Sequence, residues 1–184
     1  MSWRRCLLVL VFGVMLVSSA PAAVGVSRSA PGESHCVLRV LGQTADGELL
    51  LSPLECYQTL AAALEAASGR TVTLDPEFSG AQLLVEASLG QFELASTLGV
   101  HFDGLNGTGS SISISGAGCT GGYWNTGPSW ANRISSSWNG CYRLRHHNLP
   151  SGSGSYGDTV GVGSTQNVPS SINNKAESVS YWGS

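Results

Sequence analysis

The chain has 184 residues and a formal net charge of −3, with 9 Lys+Arg against 12 Asp+Glu. So sparse and slightly acidic a charge excludes the basic footprint that nucleic-acid binding requires. Its 24 glycines, with Ser, Asn and Thr crowding the second half, are the composition of turns and short strands.

Trp3, Arg4 and Arg5 precede the apolar run CLLVLVFGVMLV, which is too short to span a bilayer with tilt. SSAPAA comes next with small residues at cleavage spacing, which predicts a signal peptide over 1–22, cut after Ala22. Cleavage removes Arg4 and Arg5 and no acid, leaving 7 Lys+Arg against 12 Asp+Glu and a net charge of about −5. The expectation is an exported, extracellular protein with no membrane contact after cleavage, and residues 23–34 read as a flexible leader.

Cys36, Cys56, Cys119 and Cys141 remain, an even count that in an oxidising compartment reads as two disulfides. Three pairings are possible; with two cysteines in each half, Cys36–Cys56 and Cys119–Cys141 are expected. Each closes a loop of about 20 residues, worth about 3 kcal/mol on the chain-entropy account. Metal binding by these thiols is the rival reading, which no C-x-x-C spacing supports.

Residues 35–97 read as a small α+β segment. CVLRVLG and GELLLS flank QTADG, two strands joined by a turn. A helix is expected over 52–69, with Ser52 as N-cap, Pro53 in its first turn, Glu55 completing a capping box and Gly69 as the stop. Leu54, Tyr57, Leu60, Ala61 and Leu64 then share one face, and Cys56 ties the helix to the first strand. Thr71–Leu74 suits a strand, while Gln82–Ala87 fits strand or helix. About 60 residues barely bury a core alone, so this segment either packs on the second half of the chain or is a small companion to it.

From Leu98 the chain is short strands and glycine-rich turns. Ile112 and Ile114 alternate with Ser111, Ser113 and Ser115 on the other face of one strand, and CYRLRH has strand character too. An offset of 42 residues superposes Ser129 on Ser171, Asn132 on Asn174, Arg133 on Lys175 and Ser136 on Ser178, and brings Phe102 near Leu144. Such a degenerate duplication suggests two Greek keys, 98–139 and 140–184. The expected fold class is therefore α+β overall, a strand-strand-helix segment leading into an all-β Greek-key sandwich.

These residues resemble a βγ-crystallin domain. That family opens each key with an aromatic, four residues, a second aromatic, one residue, Gly, one residue and Ser; Phe102, Gly107, Gly109 and Ser111 stand at those places, with Gly107 where the second aromatic belongs. The resemblance implies that Gly109 permits a folded hairpin and that Ser111 hydrogen-bonds across it. In the second key LRHHNLPSGSGS matches more loosely, with Leu144 opening and Gly152 or Gly154 as hairpin glycine. Microbial members carry a calcium signature of Asn/Asp, Asn/Asp, two variable residues, Ser/Thr and Ser. Here ANRISS (131–136) and NNKAES (173–178) are its copies, departing at Ala131 and at Glu177. The resemblance implies a calcium ligand set of Asn132, Ser135, Asn173, Asn174 and Glu177, with main-chain oxygens from Arg133 and Lys175. One carboxylate among these implies weak affinity, and Asn and Ser also serve as ordinary turn residues without metal.

Catalysis has no legible constellation. G-x-S-x-G, H-E-x-x-H and the phosphate-loop glycine pattern are missing from the sequence. His146 and His147 are adjacent, so on a strand they face opposite ways. His101, Asp103 and His146 could cluster near a pseudo-twofold axis, although surface polar roles suit them as well. Tyr123, Trp124, Trp130, Trp138, Tyr142, Tyr156, Tyr181 and Trp182 suit either a sandwich core or a saccharide platform.

The leading expectation is a secreted, non-catalytic binding or structural protein with weak calcium affinity and an extracellular protein partner. The second is a protease inhibitor, because some bacterial metalloproteinase inhibitors resemble this fold. Its candidate loops are the segment between Cys119 and Cys141 and NLPSGSGSYGD. The third is binding to cell-wall polysaccharide through exposed aromatics.

Overall fold

The structure, a computed structural model, describes residues 32–69, 73–86 and 96–183. The expected signal segment, most of the leader, and parts of the two ambiguous segments after Gly69 lie outside the described residues. Eleven strands and three short α-helices are described. They run β1 (His35–Gln43), β2 (Leu49–Leu51), β3 (Glu55–Tyr57), α1 (Leu60–Ala67) and α2 (Gly80–Glu86). Next come β4 (Thr97–Phe102), β5 (Ser111–Ser115), β6 (Thr120–Asn125), α3 (Gly127–Trp130), β7 (Ser136–Asn139), β8 (Arg143–Leu149), β9 (Ser153–Val160), β10 (Thr165–Asn167) and β11 (Ser178–Trp182). The described residues are mostly β, in two sheets with only short helices, so the α+β expectation gives way to a mainly β fold.

Two sheets form. One runs β10-β7-β4-β5-β1-β2, with β3 also paired to β1; the other runs β6-β11-β8-β9. Strands exchange between them in a matched way. β4, β5 and β7 share the first sheet while β6, between β5 and β7 in the chain, lies in the second; β8, β9 and β11 share the second while β10 lies in the first. Ile112, Ile114 and Leu98 from one sheet meet Trp124, Leu144, Val179 and Tyr181 from the other in a shared core.

The N-terminal segment packs onto this arrangement. β1 pairs with β5 in parallel, His35 opposite Ser111 and Arg39 opposite Ser115. The β1–β2 turn reaches the edge of the second sheet, where Tyr123 donates its N–H to Gly47 O at 2.9 Å and Asn125 donates to Glu48 Oε1 at 2.8 Å. One edge of the second sheet is thereby covered.

α1 lies on the outer face of the first sheet. Its Ala63, Ala66 and Ala67 pack with Val37, and Leu60 and Leu64 with Val100, Phe102 and Trp138. The alternation in SISIS is as expected, with both isoleucines facing the second sheet. The serine face is buried too, because alanines bring the helix close; Ser115 Oγ donates to Ala67 O at 2.6 Å.

The expected helix start is corrected. The helix begins at Leu60, and Thr59, not Ser52, caps it by accepting from Ala62 N–H. Ser52 Oγ instead accepts from Arg39 N–H at 3.0 Å and donates to Pro53 O. Glu55–Tyr57 is a strand because Cys56 stands directly opposite Cys36 in the β1–β3 register, so their bond ties two strands and not a helix. Leu54 is consequently exposed. The pairing itself is as expected: Cys36–Cys56 and Cys119–Cys141 both form. Among the described residues no helix is long and apolar enough to cross a membrane.

Candidate functional site

ANRISS leads into β7 and NNKAES into β11, and the two turns are built alike. Asn132 and Asn174 both hold left-handed backbones, φ 61° and 55°, a conformation that Asn tolerates because its short amide bonds locally. Asn132 N–H donates to Ala176 O at 2.9 Å, and Asn174 N–H donates to Ile134 O at 3.0 Å. Outside this reciprocal pair the match continues at the offset of 42. Ala131 N–H reaches Gly127 O and Asn173 N–H reaches Pro169 O; Arg133 Nη1 donates to Ser129 O and Lys175 Nζ to Ser171 O. Ile134 and Ala176, fully buried, anchor the turns in the core.

The ligand set expected for calcium is brought together in part. Ser135 Oγ lies 2.9 Å from Asn174 Oδ1 and 3.3 Å from Asn173 Oδ1, so three neutral oxygens converge. The symmetry-related place holds Glu177, Ala131 and Asn132, where Ala131 supplies no oxygen and Asn132 is exposed. Among the described residues the Glu177 side chain takes part in no hydrogen bond or ion pair, and the carbonyls of Arg133 and Lys175 accept no hydrogen bond. The two carbonyls that follow each of them are engaged: Ile134 O and Ala176 O in the reciprocal pair, Ser135 O by Val168 N–H and Glu177 O by Thr126 N–H. Oxygen donors with so little charge suit a hard cation held weakly, with water completing six to eight ligands. The side chains of Arg133 and Lys175 turn back on their own loops, and Arg133 also pairs with Asp103 at 2.7 Å.

The hairpin that precedes each of these turns is corrected in two respects. Ser111 Oγ bonds His35 Nδ1 at 3.0 Å and does not cross the hairpin, because β1 occupies that side of β5. The crossing serines are the last residues of ANRISS and NNKAES. Ser136 Oγ accepts from Gly107 N–H at 2.9 Å and donates to Gly104 O at 2.6 Å; Ser178 Oγ accepts from Gly152 N–H at 3.0 Å and donates to Leu149 O at 2.7 Å. The match also moves. Phe102 pairs with Ser136 in β7 and His147 with Ser178 in β11, so His147, not Leu144, is the counterpart of Phe102. Gly109 and Gly154, φ 81° and 79°, are the equivalent hairpin glycines. A Cβ on either would meet an Oδ1 at 2.2–2.3 Å, that of Asp103 or Asn148.

On the same matched strands His101 and His146 point into the core, both fully buried. Asp103 does not join them; it pairs with Arg133 on the surface. A chain of hydrogen bonds runs through the pair, and its direction is set by one fixed end, since Gly157 O can only accept. His146 Nδ1–H therefore donates to Gly157 O at 3.3 Å, leaving Nε2 to accept from Ser137 Oγ–H at 2.9 Å. Ser137 Oγ then accepts from His101 Nδ1–H at 2.8 Å, and His101 Nε2 accepts from Tyr181 O–H at 2.9 Å. Both rings are neutral in this scheme. Burial pushes the His101 pKa well below its ordinary value and that of His146 to about 4, and it raises the Tyr181 hydroxyl well above its own. His147 faces the other way, as adjacency predicts, and bonds Ser180 Oγ at 3.1 Å.

Half of these aromatics are core: Trp124, Trp130, Trp138 and Tyr181 are buried, Tyr123 is half-buried, and Tyr142, Tyr156 and Trp182 are exposed. The segment between Cys119 and Cys141 sends Trp124 and Trp130 inward and is no free loop. Among the described residues no three His, Cys, Asp or Glu side chains cluster as for a metal ion. Compared with known proteins, the chain matches no family description, no curated protein and no solved structure.

Proposed function

We propose that the chain is an exported, non-catalytic binding or structural protein whose residues 98–184 form a βγ-crystallin-like pair of Greek keys with a weak calcium site between the matched turns. The reciprocal bonds of Asn132 to Ala176 O and of Asn174 to Ile134 O carry this reading, because they bring two signature-bearing turns face to face. The exchange of β6 and β10 between sheets supports the Greek-key assignment. Ser135, Asn173 and Asn174 would hold the ion, with Arg133 and Lys175 offering carbonyls; Glu177 and Asn132 leave the second place weaker. The ion's part is to stiffen the turns, and the partner is met by a rigid extracellular surface. Two disulfides are consistent with an oxidising compartment. Titrating calcium chloride against a chelator control while monitoring thermal unfolding tests the ion: binding to the folded state raises the midpoint. An unchanged midpoint at millimolar calcium removes it.

Inhibition of a secreted metalloproteinase is a second reading, favoured by one observation. Leu149 is 48 % exposed on a hairpin that buried Ser178 pins from beneath, a rigid protruding segment. Undiminished thermolysin activity at micromolar protein dismisses it.

A further inference from the structure

The two sheets differ in what covers their outer faces. α1 lies over the first. On the second, the hairpin after β8 covers Ser178 and Ser180, which are buried, and it stops short of the far end of the sheet. There Trp182 of β11 stands opposite Arg143 of β8, which stands opposite Val160 of β9. Cross-strand partners share a face, and Leu144, next to Arg143, is buried among the core residues. The row therefore points outward, with Trp182 39 % and Val160 44 % exposed.

Two details make this row more than scattered surface. Trp182 lies flat on Gly121, where a Cβ would come within 2.8–3.1 Å of the indole carbons, so the missing side chain seats the ring as a platform. Arg143 holds its guanidinium over the ring, 5.8 Å from the centroid. Among the described residues it makes no ion pair, and its solvent-shielded Nε–H has no hydrogen-bond partner. The neighbouring Arg145 differs: Asp158 neutralises it through bonds of 2.8 and 3.0 Å, and its guanidinium stacks 3.8 Å from the Tyr156 centroid. A chain with 12 acids to 9 bases thus leaves a cation without an ion pair among the described residues beside an exposed tryptophan.

We propose that this row binds an acidic polysaccharide, one sugar ring packing against the exposed part of the Trp182 indole while its carboxylate pairs with Arg143. A planar guanidinium matches a carboxylate in geometry and charge, and an exposed indole offers a flat apolar surface to the C–H face of a sugar. The site lies outside the calcium turns, so it stands or falls apart from them.

Affinity electrophoresis of the full exported chain in gels containing polygalacturonate, run with chelator to exclude calcium bridging, tests it. Fully methyl-esterified polygalacturonate serves as the uncharged control. Retardation by the acid form alone, weakened about tenfold or more in R143Q and in W182A and less in R143K, is the expected result. Both side chains are partly exposed, and an unshifted thermal midpoint verifies that each variant folds. No retardation of the wild type, equal retardation by the ester, or unchanged retardation of R143Q and W182A overturns the proposal.

Discussion

His101 and His146 meet edge to face in the core, with ring centroids 5.6 Å apart and planes at 87°. They occupy matched positions in β4 and β8, and the hydroxyl of Ser137 is shared between them. The directed chain from Tyr181 to Gly157 needs each ring to keep one nitrogen unprotonated, so protonation of either ring breaks it.

Stability should therefore fall on acidification. Above pH 6.5 folded and unfolded chains both carry neutral imidazoles, and this pair makes stability no function of pH. Between 6.5 and about 4 the unfolded chain takes up a proton that buried His146 refuses, so stability drops as pH falls through that window. His146 alone removes about 3 kcal/mol across it, and His101, shifted in the same direction, adds to the loss. Thermal midpoints from pH 8 to 4 should trace the fall. His146→Gln should be less stable than wild type at pH 7.5 and shallower in its dependence; a slope equal to wild type would place the titration elsewhere.

Ser136 and Ser178 should matter more than their size suggests. Each is fully buried and satisfies one N–H and one C=O of a folded hairpin. Replacement by Ala leaves two backbone groups without a partner, at a cost of about 2 kcal/mol per variant by urea unfolding. A loss below about 0.5 kcal/mol would mean that the hairpins do not depend on these bonds.

What could be read from the sequence was what repeats or alternates. The 42-residue offset, the pairing of the cysteines by halves and the facing of Ile112 and Ile114 need only spacing. Ser52, Pro53 and Glu55 misled because a capping signature is local, whereas Cys56 answers to Cys36, 20 residues away on a partner strand. The role of Ser111 was hidden for the same reason: β1 comes alongside β5 and takes its hydroxyl. Phe102 answers to His147 and not to Leu144 because the turns match at 42 and the hairpins at 45, the second unit being three residues shorter between its second strand and its turn. The burial of Trp124, Trp130 and Trp138 depends on which strand faces which sheet, and their chemical type does not encode it.

Asn174 separates backbone from metal. Its left-handed φ means that Asn174→Ala should lose about 1 kcal/mol, while Asn174→Gly keeps the conformation at little cost. Glycine nonetheless removes Oδ1, one of the three converging oxygens, the others being Ser135 Oγ and Asn173 Oδ1. Under the calcium reading Asn174→Gly loses the calcium-dependent rise in midpoint and Asn132→Gly retains it, since Asn132 belongs to the weaker place. Equal responses in the two variants would remove Asn174 from the ligand set.

The disulfide Cys119–Cys141 closes the stretch in which the chain leaves the first sheet as β6, crosses through α3 and returns as β7. That crossing carries Trp124, Trp130 and Ile134 into the core and the first Asn turn to its partner. Without the bond, the unfolded chain regains the freedom of a loop spanning 22 residues, so C119A/C141A should lose about 3 kcal/mol. The second turn should suffer with the first, because Asn174 N–H is satisfied by Ile134 O inside the loop. Hydrogen exchange at the Asn174 amide reads this directly: the double variant should exchange it faster than a C36A/C56A variant of matched stability. Equal rates would mean that the two turns are held independently of the crossing.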